Sequence, residues 1–173
     1  DVELPAEYRN PIVHSPYSLV DFVRRYLGLE GPAFGVSTAC SSSARVFGCA
    51  ERLLSLGLAD AVLVGGTDTL CRSVLFGFNS RELMSPEACR PFDVARQGLS
   101  LGEASGFALL VRGAGAGPVL NGYGETSDAH HMSSPHPEGR WARQAMTTAL
   151  QAAGLAAGDV GYVNLHGTGT RAN

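Results

Sequence analysis

The chain has 173 residues, enough for one domain with a core of its own, and a formal net charge of −3. No basic block or stripe marks a nucleic-acid or anionic-membrane partner, and no apolar run approaches the length that spans a bilayer. The opening Asp1-Val2-Glu3-Leu4-Pro5 lacks the basic-then-apolar order of a signal peptide, so a soluble, cytoplasmic protein is expected. All 13 basic residues are arginine, which removes a Schiff-base or phosphate-loop lysine from this stretch. Four cysteines, Cys40, Cys49, Cys71 and Cys89, form no C-x-x-C pair and no zinc spacing with histidine. Reduced thiols and no metal site are expected, and no organic cofactor motif is visible.

In chain order, residues 5–16 read as irregular, bounded by prolines. Residues 17–29 carry apolar side chains at helical intervals (Leu19, Val20, Val23, Tyr26, Leu27), with Gly31-Pro32 as the breaker. The run 33–39 has the look of a strand, and 41–56 that of a helix with Ala44, Phe47, Ala50 and Leu54 on its apolar stripe and Gly57 as its stop. A fully apolar strand at 61–64 ends in Gly65-Gly66. Such unalternating runs flanked by helices suit a sheet covered on both faces. Residues 69–99 form a long connection, of a length that is functional or carries short helices of its own. Strands are expected at 104–112 and 119–125, joined by a glycine turn at 113–117 as an antiparallel pair. An amphipathic helix at 140–153 stops at Gly154, and a last strand at 160–165 delivers His166 to Gly167-Thr168-Gly169-Thr170.

Two strand ends therefore present reactive groups. Cys40 stands at a strand-to-helix junction, where unpaired backbone N–H groups and the positive end of a helix dipole converge, a setting in which thiolates attack acyl carbonyls. His166 follows another strand, and in α/β sheets sites gather at the carboxyl ends of strands. The glycines after His166 let a ligand approach the backbone, and Thr168 and Thr170 offer hydroxyls to a polar chain. Neither Gly-Thr-Gly-Thr nor the 113–117 glycine run is a phosphate or dinucleotide loop, since no lysine and no following helix accompany them.

These segments resemble those of the β-ketoacyl synthases. Ser37-Thr38-Ala39-Cys40-Ser41-Ser42-Ser43 is similar to their nucleophile motif. Arg90-Pro91-Phe92-Asp93, followed by Gly102-Glu103, resembles their central loop. Residues 127–139, with His131-Met132-Ser133-Ser134-Pro135, resemble the entry to the second half of synthase II-type enzymes, and 162–170 resembles the first histidine motif. The resemblance implies a thiolase-like layered α/β/α/β/α fold, with residues 1–112 as the end of an N-terminal half and 113–173 as the start of a C-terminal half. It implies decarboxylative condensation of an acyl thioester on Cys40 with malonyl-acyl carrier protein, in fatty-acid or polyketide assembly. Cys40 would be the nucleophile and His166 would hold the malonyl thioester carbonyl. Thr168 and Thr170 would bind the phosphopantetheine arm of the carrier protein, and Phe78 would wall the acyl pocket. Where the family runs Arg-Asp-Gly-Phe then Gly-Glu-Gly, this chain has Arg96-Gln97-Gly98-Leu99 then Gly102-Glu103-Ala104. Asp93 and Glu103 are read as braces of that loop rather than an acid–base pair.

The resemblance also implies a second histidine, a lysine and a glycine-rich phenylalanine loop downstream, none of which this sequence contains. The chain is thus expected to be a central piece of a larger protein, with exposed apolar edges and without full condensing activity on its own. Partners implied are an acyl carrier protein and either a second copy or a chain-length-factor-like subunit. The alternatives are a non-catalytic chain-length factor, against which Cys40 argues, the ketosynthase domain of a modular polyketide synthase, and a cysteine hydrolase using Cys40 and His166.

Overall fold

The computed structural model describes residues 15–113, 115–131, 134–171 and 173. Helix α1 spans Ser18–Tyr26. It ends before the expected Gly31-Pro32, because Leu29 N–H reaches Arg24 O (2.9 Å) and Gly28 N–H reaches Arg25 O (3.3 Å), satisfying the last carbonyls at Gly28. Residues 33–38 form no strand: a strand exists through its neighbour, and no described segment pairs with this run. A single 3-10 turn, Ala39–Ser41, leads instead into α2 (Ser42–Ser55). Helix α2 stops where the sequence puts its breaker. Gly57 sits at φ 67, a left-handed conformation that strains any L side chain, and Leu58 N–H closes on Leu53 O at 2.9 Å.

The sheet consists of β1 (Ala61–Asp68) and β2 (Ala104–Val111), antiparallel, with Ala61 opposite Val111 and Asp68 opposite Ala104. The partner of β2 is therefore β1 and not the 119–125 segment, which forms no strand. β1 also runs on past Val64 through both glycines. At Gly65 the missing side chain is what lets the strands meet: a Cβ there would run into the Phe107 ring and lie 2.6 Å from Gly106 O. Beyond β2, Arg112 donates to Leu54 O (3.0 Å) and Ala59 O (3.1 Å) and pairs with Asp60. It thereby ties the end of β2 to the end of α2 and the turn into β1.

The long connection after β1 carries helix α3 (Arg72–Asn79) and a parallel bridge between Met84 and Leu99. Helix α4 spans Arg140–Ala153 and ends at Gly154, as the periodicity predicts. A 3-10 turn at Ala157–Asp159 follows, and residues 160–165 form no strand.

Although 119–125 lacks a ladder, it keeps the alternation of a strand. Tyr123 lies over Gly48 of α2, while Gly122 and Gly124 face the α4 backbone, where added Cβ atoms would each come within 2.7 Å of an amide nitrogen (Ala153 and Ala149 respectively). The segment is thus clamped between two helices. Glu125 adds ion pairs to Arg45 (3.3 Å) and Arg52 (3.2 Å) and accepts from Tyr123 Oη (2.9 Å). The charged groups are exposed, and each such ion pair is worth at most about 1 kcal/mol.

Helix α2 covers the sheet face that carries Val62, Val64, Ala108 and Leu110, and Ala50, Leu54 and Val64 are buried there. On the opposite face Leu109 and Val111 are 65% and 57% exposed. Cover on both faces, expected from the apolar runs, is thus found on one face among the described residues. No described helix is long and apolar enough to cross a membrane.

Candidate active site

Cys40 is exposed and lies in the 3-10 turn that opens α2. The residue before it, Ala39, has φ 52. A non-glycine residue in that region costs on the order of 1–3 kcal/mol and persists only where its surroundings hold it. Those surroundings are the serines after the cysteine. Thr38 N–H donates to Ser42 Oγ (2.8 Å), Ser42 Oγ donates to Ala39 O (2.7 Å), and Ser41 Oγ donates to Thr38 O (2.8 Å). Ser41 N–H takes Thr38 O and Ser42 N–H takes Ala39 O, which leaves the Cys40 N–H without an acceptor among the described residues. A free N–H beside an exposed thiol, at the start of a helix, is the arrangement that binds an oxyanion formed by attack of that thiol.

Ser43, one helical turn beyond Cys40, lies by the carboxyl end of β1: a Cβ at Gly66 would be 3.0 Å from Ser43 Oγ. A cavity of about 350 Å³ opens here between α2 and the sheet, lined among others by Ser43, Phe47, Gly65, Gly66, Thr67 and Gly106. Beside Phe47 and Phe107, most of its walls are glycine, alanine and serine, so much of the space is left by small side chains. Phe78, expected to wall an acyl pocket, is half-buried on α3, and no hydrogen bond or ring contact joins it to Cys40 or His166 among the described residues.

His166 is exposed, and the turn after it is not: Gly169 is buried and Thr168 and Thr170 are half-buried. The turn is seated on the connection that leaves the carboxyl end of β1. Gly98 N–H donates to Gly169 O (3.0 Å), and a Cβ at Gly169 would lie 2.7 Å from Gly98 O. A Cβ at Gly167 would touch the Phe92 ring at 3.5 Å and Pro91 at 3.6 Å. Arg96 donates through Nε to Thr170 O (2.9 Å), through Nη2 to Arg171 O (3.0 Å) and through Nη1 to Asp93 O (3.0 Å). The hydroxyls of Thr168 and Thr170 are 2.9 Å apart and bonded to each other. Cys40 and His166 are not in hydrogen-bond contact; both belong to features at the carboxyl end of β1 and its connection.

Asp93 and Glu103 are not a pair. Asp93 Oδ1 accepts Ala95 N–H at 2.6 Å and braces a turn within the connection, whereas Glu103 Oε2 accepts Leu70 N–H at 3.0 Å and ties its two ends together. In the 127–139 segment, Met132 and Ser133 lie outside the described residues. Around them Asp128 accepts the N–H groups of His136 (2.8 Å) and His130 (3.0 Å), which hold its carboxyl below the usual range, and the two rings are 5.1 Å apart. Among the described residues no three His, Cys, Asp or Glu side chains converge on a metal position.

Three features escape a reading of the residues alone. Ala39 carries no mark of its left-handed backbone. Arg96 shows in the sequence only as one letter of a loop pattern, because two of its three acceptors are distant backbone carbonyls. Cys71, exposed at the start of α3, lies 3.2 Å from Ser73 Oγ, and that hydroxyl together with the Val74 N–H pulls its thiol down from the ordinary range.

The family model described as the β-ketoacyl synthase N-terminal domain matches residues 19–116, and that of the C-terminal domain matches residues 118–173. Nodulation protein E of Rhizobium meliloti is 41% identical over 155 residues, covering 85% of this chain and 38% of the relative. The 3-oxoacyl-[acyl-carrier-protein] synthase 2 of Rhizobium meliloti (strain 1021) is 40% identical over 160 residues, covering 84% and 38%. A solved ketosynthase from Xenorhabdus doucetiae, in complex with its chain length factor, matches with a TM-score of 0.83 and 52% identity, over 89% of this chain and 38% of that one. The chain thus spans about 38% of the length of these relatives. Its helices and strands are those of a thiolase-like α/β fold, and two adjoining family models account for nearly all of its described residues. This chain belongs to the β-ketoacyl synthase family.

Proposed function

We propose that this chain carries the nucleophile and the first histidine of a condensing acyltransferase that joins an acyl group to a malonyl unit on an acyl carrier protein. The observation that carries the reading is the exposed Cys40, turned out behind a left-handed Ala39 with its own N–H unpaired. In the first step Cys40 Sγ attacks the acyl thioester, the developing oxyanion accepts from the Cys40 N–H, and the carrier's thiol leaves with a proton. In the second, malonyl thioester loses carbon dioxide and the resulting enolate oxygen accepts a hydrogen bond from His166. The enolate carbon then attacks the acyl group, and Cys40 Sγ departs.

Thr168 and Thr170 receive the pantetheine arm, and Phe78 walls part of the acyl pocket. No dissociable cofactor is required, since the substrate arrives on its carrier. Residues 1–112 and 113–173 belong to successive thiolase-like halves, a division supported by the two family models that meet between residues 116 and 118. The assembly is a dimer in the cytoplasm, with a second copy or a chain-length-factor-like subunit. The complex of the Xenorhabdus ketosynthase with its chain length factor supports the heterodimer. A non-catalytic role is disfavoured by Cys40 and the strained turn that presents it.

The test is intact-mass and peptide mapping after exposure to an acyl thioester, on a folded sample. Cys71 is the competing thiol, so Cys71→Ser forms the background. One adduct, on Cys40 and lost in Cys40→Ala, is the expected result; a folded sample with no adduct there would remove the catalytic assignment.

A further inference from the structure

We propose that Arg96 is the positioning residue for the Thr168–Thr170 pair, and through it for the carrier-bound arm, an inference that rests on the function proposed above. Arg96 is half-buried and spends three donors on three carbonyls. Nε and Nη2, on one edge of the guanidinium, take the carbonyls of consecutive residues, Thr170 and Arg171. Nη1 takes Asp93 O in its own loop. The planar fork thus fixes two peptide groups of the turn relative to the loop at 93–98. No carboxylate pairs with Arg96 among the described residues, since the Asp93 carboxylate is turned to Ala95 N–H.

What the fork fixes is the aim of the two hydroxyls. Thr168 Oγ1 and Thr170 Oγ1 bond each other, and Thr170 N–H also leans on Thr168 Oγ1 at 3.3 Å. To accept and donate to an amide-bearing chain they must hold their separation while turning their hydrogens outward. That requires a backbone which does not relax. Asn173 closes the turn on itself, accepting Thr168 N–H (3.1 Å) and donating to Thr170 O (3.1 Å), and two clamps tie it to the loop at 93–98: the guanidinium, and the Gly98–Gly169 contact beside it. On the same loop, Phe92 holds φ 64 and sets its ring against Gly167. A non-glycine residue kept in the left-handed region at this spot is consistent with a loop shaped for the turn rather than for its own comfort.

The experiment is steady-state kinetics of the full-length protein with malonyl-carrier protein, comparing Arg96→Lys and Arg96→Ala with wild type. Acylation of Cys40 by an aryl thioester without a pantetheine arm is followed in parallel. Lysine keeps the charge but cannot span three carbonyls. Both variants are expected to raise KM for malonyl-carrier protein about tenfold with kcat within about twofold, as for loss of binding shared by ground and transition states. Aryl-thioester acylation stays unchanged. Arg112→Ala, which removes a comparable fork at the far end of the β1–β2 pair, serves as the stability control and is expected to leave that KM unmoved. If Arg96→Ala does not fold, Arg96→Lys carries the comparison. An unchanged KM in a folded Arg96 variant, or a fall in kcat alone, overturns the positioning role while leaving the proposed function intact. A wild-type protein that neither acylates Cys40 nor turns over removes both.

Discussion

At Ala39 a left-handed backbone angle presents the exposed Cys40, and at Asp128 two accepted N–H groups shape the loop that precedes α4. The two Asp128 oxygens take the N–H groups of His136 and His130, so the carboxylate form is favoured and its titration moves below the usual aspartate range. A carboxyl depressed in the folded state supports the loop at every pH above its unfolded value and loses that support only as pH falls through the lower, folded value. The amide resonances of His130 and His136 should therefore hold their positions as pH drops through the ordinary carboxylate range and shift only below it. In Asp128→Asn, one of the two acceptor oxygens is gone and one of those amides should already be displaced at neutral pH. A shift centred on the ordinary range in the unsubstituted protein would mean that the two bonds do not hold the carboxylate. Of the residues that matter here, Cys40 and His166 stood out in the sequence because residue type, flanking pattern and family resemblance coincide. Ala39 and Arg96 did not. An alanine gives no sign of left-handed φ, and the two bonds by which Arg96 holds the turn reach carbonyls 74 and 75 residues away, which leave no local signature.

At the scale of elements, the segment 119–125 is held by contacts that tolerate no added carbon on either side. Gly48→Ala would push a methyl into the Tyr123 ring, a side chain that can yield, so a loss of about 1–3 kcal/mol is expected. Gly124→Ala meets the backbone of α4 at Ala145 O, which cannot move without bending the helix, and should cost about 3 kcal/mol or more. Chemical denaturation of the two variants checks the order; a Gly124→Ala loss smaller than that of Gly48→Ala would mean that the segment lifts off α4. Helices α2 and α4 were legible in the sequence nearly to the residue, because a helix satisfies its own backbone and its apolar stripe recurs locally. The runs 33–39, 119–125 and 160–165 have the composition of strands yet form none, because a strand's hydrogen bonds belong to its neighbour. For the same reason proximity in sequence points to 119–125 as the partner of β2, while the Gly65–Phe107 fit and the Arg112 tie join it to β1.

At the scale of the whole molecule, one face of the β1–β2 pair is packed and the other is open among the described residues. Leu63, Phe107, Leu109 and Val111 share the second face, and open apolar area of this kind seeks a cover. Leu109→Glu should therefore reduce self-association of the 173-residue chain in sedimentation velocity at little cost in stability. Association unchanged by that substitution would place the adhesive surface elsewhere. The clasp between the loop at 93–98 and the turn at 167–171 also has a consequence in time. Its bonds close loops of 74 and 75 residues, whereas the turns of α2 and α4 close over a few. Contacts of such long sequence separation are slow to form, and with so little buried apolar area behind them they are among the first to open. The threonine turn is thus assembled late in folding and surrendered early in unfolding, so function would fade on warming before the helices report any change.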